Sequence, residues 1–281
     1  MNRAATLLAA LALSGAVSAQ DLPDLTGIVH PDDAQILFLG EVHDNPLHHD
    51  AQAALVAAWQ PTALVFEMLD PAEARLVMEE RAAGRFDRLA ETLDWASSGW
   101  PDFAMYAQIM QAAPAAAIWG AEVPRDRIRP VMETGAAAEF GPRAGLFGLD
   151  QPLPEDQQTA REALQAEAHC DALPEVMLPG FVEAQRLRDA RLAEAALDAL
   201  AAHGGPVVVI TGNGHARTDW GAPALIGLAA PQVGVFSVAI LEQAPDGDLP
   251  ADAWIMTAPH DRPDPCDGFR QGAVALDRGA P

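Results

Sequence analysis

Leu37-Phe38-Leu39-Gly40-Glu41-Val42-His43-Asp44-Asn45-Pro46-Leu47-His48-His49 carries the architecture in miniature. An apolar run breaks at a glycine, releases a burst of polar side chains and passes into a helical pattern, which reads as a buried strand, a tight turn and a helix start. In open α/β sheets such turns lie at the carboxyl ends of the strands, where ligands bind. Far downstream, Val207-Val208-Val209-Ile210-Thr211-Gly212-Asn213-Gly214-His215-Ala216-Arg217 has the same order of β-branched strand, glycine turn and histidine. Two strands are therefore expected to deliver histidines to one sheet edge.

Working outward, the apolar runs predict strands at 36–40, 63–66, 115–119, 206–211, 234–241 and 254–257, with a further short strand at 144–148. Helical periodicity predicts helices at 48–59, 71–83, 103–112, 126–133 and 223–230, and a mostly helical stretch at 155–202 broken near Pro174 and Pro179. In its second half Leu187, Ala190, Ala193, Leu197 and Leu200 hold one face, leaving Arg188, Asp189 and Arg191 to other sides. Strands alternating with helices imply an α/β fold, a mostly parallel sheet flanked by helices. The helical insert at about 155–203 is expected to cap the carboxyl edge.

Residues 1–19 have one positive charge at Arg3, an apolar run at 4–13, and Val17-Ser18-Ala19 before Gln20, the layout of a cleaved signal peptide. The run is too short to span a membrane, and no later segment approaches the roughly 20 apolar residues required. A periplasmic or secreted domain at 20–281 is expected. The formal charge is −23, and loss of Arg3 makes it one unit more negative, which argues against nucleic-acid binding and adhesion to anionic lipid. All 17 basic residues are arginine, so phosphate-loop nucleotide binding, Schiff-base chemistry and Ser-Lys hydrolysis have no lysine to use. Only two cysteines occur, Cys170 and Cys266. In an oxidising compartment an even pair points to a bridge, with two free thiols as the other reading.

The chemistry gathers at the strand ends. Glu41, His43, Glu67, Glu122 and His215 each follow a predicted strand, and imidazole with carboxylate suits a divalent ion such as zinc, iron or manganese. His43, Glu67 and His215 are expected to converge, with Glu41 and Glu122 at the rim. Asn45, His48, Asn213 and Arg217 flank the same turns. Trp95, Trp100, Phe103, Met105 and Tyr106, the last being the one tyrosine, form a cluster that reads as a small core or as the wall of a slot for a flat ligand. No serine occupies a nucleophile elbow.

Gly40-Glu41-Val42-His43-Asp44-Asn45-Pro46 with His48-His49, then Val65-Phe66-Glu67-Met68, Trp100-Pro101-Asp102 with Tyr106, Gln185-Arg186-Leu187-Arg188-Asp189-Ala190 and Thr211-Gly212-Asn213-Gly214-His215-Ala216-Arg217 together resemble the ChaN family of haem-binding uptake proteins. The resemblance covers most of residues 20–281. It implies an α/β fold, export, and a role in haem or iron acquisition, with haem as cofactor and cargo and a homodimer as one form of the protein. The wider group includes the Tiki metalloproteases and erythromycin esterases, so the second reading is a metal-dependent hydrolase using Glu41, His43, Glu67 and His215. Two departures stand out. The signal lacks the lipidated cysteine of ChaN itself, and Glu122 stands where many relatives carry asparagine before the Pro-Arg pair.

Overall fold

The structure is a computed structural model that describes residues 30–245, 247–264 and 266–267; the expected signal peptide lies outside them. Strand β1 (Ile36–Glu41) is buried along its whole length. Helix α1 (Pro46–Trp59) starts two residues earlier than periodicity predicts, because the Asn45 side chain accepts the Leu47 N–H and Pro46 fits the first turn. It ends at Gln60, which takes a left-handed φ of 47°. After β2 (Ala63–Phe66), Asp70 and Glu73 form a reciprocal capping box that opens α2 (Pro71–Ala82). The short helix α3 (Leu89–Thr92) and α4 (Phe103–Ala112) lead to β3 (Ala117–Gly120). Then come α5 (Arg125–Thr134), α6 (Ala136–Phe140), α7 (Glu155–Ala168), α8 (Leu178–His203), β4 (Val207–Gly212), α9 (Ala222–Ala229), β5 (Val235–Leu241) and β6 (Ala253–Met256).

The six strands form one sheet in the order β3-β2-β4-β1-β5-β6, and every pairing is parallel. Both faces of the central strands β2, β4 and β1 are covered, which is why they read as unbroken apolar runs rather than alternating ones. Leu37 and Leu39 of β1 enter a core shared with α1, α2 and α4, whereas Ile36 and Phe38 enter a core shared with α5, α6, α8 and α9. Emptying such a site, as in Phe38→Ala, costs about 3–5 kcal/mol.

Strand β4 lies between β1 and β2, and its neighbours part company there. The chain leaves β1 for β2 along the first core through α1, and leaves β4 for β5 along the second through α9. This divergence between adjacent parallel strands opens a crevice at their carboxyl ends, the position where doubly wound sheets bind ligands.

Three local expectations change. Residues Ala144–Phe147 form a 3-10 turn instead of a strand, closed by Gly148 in the left-handed region at φ 66°, with Ala144 and Phe147 facing inward at helical spacing. Pro179 does not break the helical stretch but sits in the first turn of α8, where its missing N–H costs nothing. The 155–203 stretch divides in two. Helix α8 lies on the sheet face, its apolar side meeting β2, β3 and β4, while α7 packs on α8 and borders the crevice. Cys170, just beyond α7, is joined by a disulfide to Cys266, with Cα atoms 5.5 Å apart. The segment before Cys266 is anchored to the first turn: Arg262 donates to Asp44 (2.8 Å) and Glu242 (2.7 Å), and Asn45 donates to Glu242 (2.7 Å) and to the Ala258 carbonyl (3.0 Å). Asn45 is thus a cap and an anchor, facing away from the crevice chemistry.

Candidate functional site

Strand pairing brings the two glycine turns side by side, with Gly40 opposite Thr211 and Glu41 opposite Gly212. Neither Gly40 nor Gly212 has a positive φ, so these glycines are not needed for a sharp bend. They make room. A Cβ on Gly40 would strike the Asn213 side chain, and one on Gly212 would come within 2.9 Å of His43 Nε2. Each turn is small where the other turn's side chain passes.

Those side chains carry the polar geometry. His43 Nδ1 lies 2.7 Å from Glu41 Oε1, and His215 Nδ1 lies 2.6 Å from Asp189 Oδ1 on α8. A carboxylate only accepts, so Nδ1 of each ring carries the proton. The other nitrogens face a shared carboxylate: Glu67, at the end of β2, lies 4.0 Å from His43 Nε2 and 3.6 Å from His215 Nε2. Glu67 also accepts from Thr211 Oγ1 (2.6 Å) and the Gly212 N–H (2.8 Å). Three adjacent strands, β2, β4 and β1, are needed to assemble this cluster.

The cluster sets its own charge states. Burial opposes charging His43, but the Glu41 hydrogen bond and the nearby carboxylates of Glu67, Glu41 and Asp44 outweigh it and raise the pKa to about 9. Burial likewise opposes charge on His215, and Glu67 and Asp189 raise its pKa despite that. Burial would favour the neutral acid at Glu67, yet the two imidazoles and the Thr211 and Gly212 hydrogen bonds hold it at about 2. At neutral pH Glu67 is an ionised carboxylate facing the His43 imidazolium, with His215 shifted toward charge by the same anion.

The remaining predicted residues take distinct places. Glu41 is buried, not at the rim, and also receives the Tyr106 hydroxyl at 3.2 Å. Tyr106 is fully buried, and burial first, with the Glu41 charge, pushes its hydroxyl far above the usual phenol range, which keeps it neutral behind the crevice. His48 is fully buried and accepts the Val42 N–H at 2.8 Å, its pKa lowered by burial to about 4. His49 Nε2 lies 2.8 Å from the His43 carbonyl. Both hold the β1 turn in shape. Asn213 clamps the β4 turn to β5 through Ile240, donating at 2.7 Å and accepting at 3.2 Å. Arg217 pairs with Asp219 and stacks 3.9 Å from the Trp220 ring centroid. Glu122 lines the crevice, its carboxyl raised to about 7 by burial and by Glu73, Asp70 and Glu67 against a Trp100 hydrogen bond. Of the two readings of the aromatic cluster, the small core is the one found: Trp95, Phe103 and Tyr106 pack on one another and Met105 lies against the same core, because these apolar faces are worth more covered than open. Trp100 alone of the set lines the crevice, edge-on to His43 at 5.0 Å.

Two clefts meet at His43, Gln185 and His215. The narrower, about 320 Å³, is lined by Glu67, Trp100, Glu122, Arg125 and Arg188. The wider, about 500 Å³, has an apolar wall of Leu164, Ala168, Val182 and Trp220 with Arg161 and Arg217 beside it. Among the described residues no three His, Cys, Asp or Glu side chains form a ligand set for a metal ion, which leaves the divalent-ion hydrolase reading without a coordination shell. Asp189 and the two arginines on α5 and α8 escaped the sequence reading. A signal for Asp189 exists: it lies three residues before Leu192 and four before Ala193, both buried, so its helix position faces inward.

With this geometry in view, known proteins can be compared. The fold is shared with a ChaN of Campylobacter jejuni described as binding haem cofacially, at a TM-score of 0.59 and 19% identity over 81% of this chain and 89% of that one. Weaker likenesses join it to the type III effector HopBA1 (TM-score 0.41, 14% identity, 81% of this chain and 88% of that one) and to an erythromycin esterase mutant in its open conformation (0.39, 12%, 87% and 80%). No curated protein matches significantly. Residues 30–226 match the family described as haem-binding uptake, Tiki superfamily, ChaN, and the chain belongs to that family.

Proposed function

We propose that this protein is exported and binds haem in a role connected with haem or iron uptake. The observation that carries the reading is the paired imidazoles at the switch point of a chain belonging to a haem-binding uptake family. Each ring is fixed at Nδ1 by a carboxylate and turns Nε2 into the crevice, the support that orients a ligating histidine and raises its basicity. When bound, haem supplies an iron that accepts nitrogen donors and a flat apolar macrocycle bearing two carboxylate arms. His43 and His215 are the residues that would hold the iron, each through Nε2 once that nitrogen has lost its proton, and Leu164, Ala168, Val182 and Trp220 the ones that would cover the ring. Tyr106 is withdrawn into the core and does not serve.

The test is a titration of the apo-protein with haemin. The expected outcome is a saturable Soret shift near about one haem per chain, weakened in His43→Ala or His215→Ala. Unsaturable binding that both variants leave unchanged would sink the proposal. Sedimentation with and without haemin tests whether two chains pair. Export is tested by intact mass: the exported chain should begin at Gln20, and a chain retaining Met1 would overturn that part.

A further inference from the structure

The narrower cleft is lined by two arginines. Arg188, half-buried on α8, and Arg125, at the start of α5, both line it and neither makes a hydrogen bond or ion pair among the described residues. Four other arginines are engaged. Arg217 is taken by Asp219, Arg262 by Asp44 and Glu242, Arg191 by Glu194, and Arg161 by Gln157. Gly99, at φ 86°, leaves space for Arg125, whose guanidinium passes 2.8 Å from where a Cβ would stand.

Arg188 is half-buried and its five donors have no protein acceptor among the described residues, so its guanidinium is left to the cleft. Its acidic neighbours are engaged elsewhere. Glu67 is occupied by Thr211, Gly212 and the two histidines, Asp189 by His215, and Glu122 receives Trp100. Both arginines line the same cleft; burial pulls the Arg188 pKa down, the charges of Glu67, Asp189 and Glu122 oppose that, and Arg125 adds to it as a nearby like charge. In a chain of formal charge −23, this cleft gathers two arginines and two histidines against the two carboxylates Glu67 and Glu122. The planar fork of each guanidinium matches a carboxylate through two parallel hydrogen bonds.

We propose that Arg125 and Arg188 form a carboxylate-binding site that takes the acid arms of the ligand held at His43 and His215, an inference that rests on the haem reading above. The narrow cleft joins the wide one at His43 and His215, so one ligand with a flat apolar body and anionic arms can use both. Glu122, with a carboxyl poised near neutrality, can enter protonated and donate to the same arm rather than repel it.

The test compares haemin with haemin dimethyl ester, which keeps the ring and iron and has no free carboxylate, on the full chain and on Arg188→Met and Arg125→Gln. The expected result is about tenfold or greater loss of haemin affinity in Arg188→Met and a smaller loss in Arg125→Gln, with ester affinity unchanged. Arg125 is exposed, so its variant stays informative if Arg188→Met folds poorly. Equal weakening of both porphyrins, or no weakening of haemin, overturns the inference while leaving the haem reading in place. Failure of the unmodified chain to bind either porphyrin overturns both.

Discussion

The turn after β1 and the turn after β4 are built from the same sequence pattern and solved differently. His43 is held by Glu41, two residues away in its own turn, and keeps 33% of its side chain exposed. His215 is held by Asp189, 26 residues earlier and on another element, and keeps only 13%. The first arrangement is local and the second depends on α8 being docked on the sheet. Both converge on Glu67, which belongs to neither turn. A repeated motif therefore specifies the kind of side chain delivered to a sheet edge, and the partners that set its charge come from wherever the packing brings a carboxylate.

Removing the shared partner is the strongest way to break this comparison. Glu67→Ala leaves Thr211 and the Gly212 N–H without their acceptor and two imidazoles without their common anion, and should destabilise the fold by about 3 kcal/mol or more in chemical denaturation. A loss below about 1 kcal/mol would mean the turns are not coupled through it. Gly40→Ala comes next, at about 1–3 kcal/mol, because the Asn213 side chain it displaces is tied twice to Ile240.

A smaller effect separates the two histidines by their own partners. Glu41→Gln should lower the His43 pKa from about 9 and leave His215 unmoved, and Asp189→Asn should lower His215 and leave His43 unmoved, read from imidazole resonances against pH. Cross-effects of equal size would merge the two turns into one unit. The sign for stability follows. His43 has a folded-state pKa above its unfolded value of about 6.5, so its stabilisation is complete below that pH and disappears as pH rises through about 9. The unmodified protein should lose stability across that window, and Glu41→Gln should lose less.

The smallest effect is expected for Gly212→Ala, under about 1 kcal/mol, since the atom met by the new methyl is the outer end of the partly exposed His43 side chain, which can shift toward the cleft. Its haemin affinity should nevertheless fall, because the nitrogen displaced is the one turned to the crevice. Unchanged affinity would remove His43 from the ligand-binding set.

The sequence alone determined the α/β class, the six strand positions to within about two residues, and the arrival of Glu41, His43, Glu67, Glu122 and His215 at strand ends. These follow from hydrophobic periodicity and from where glycine and proline interrupt it, both local quantities. Tertiary structure decided the rest. It placed β4 between β1 and β2, made Gly40 and Gly212 clearance for a neighbouring turn in place of bends, and withdrew Tyr106 into the core. It also buried Asp189 against His215 and left Arg125 and Arg188 unpaired across a cleft. The reason is physical: strand order and the charge of a buried group depend on contacts between residues distant in the chain, and in a low-dielectric crevice the pairing available there outweighs any preference the residue carries by itself.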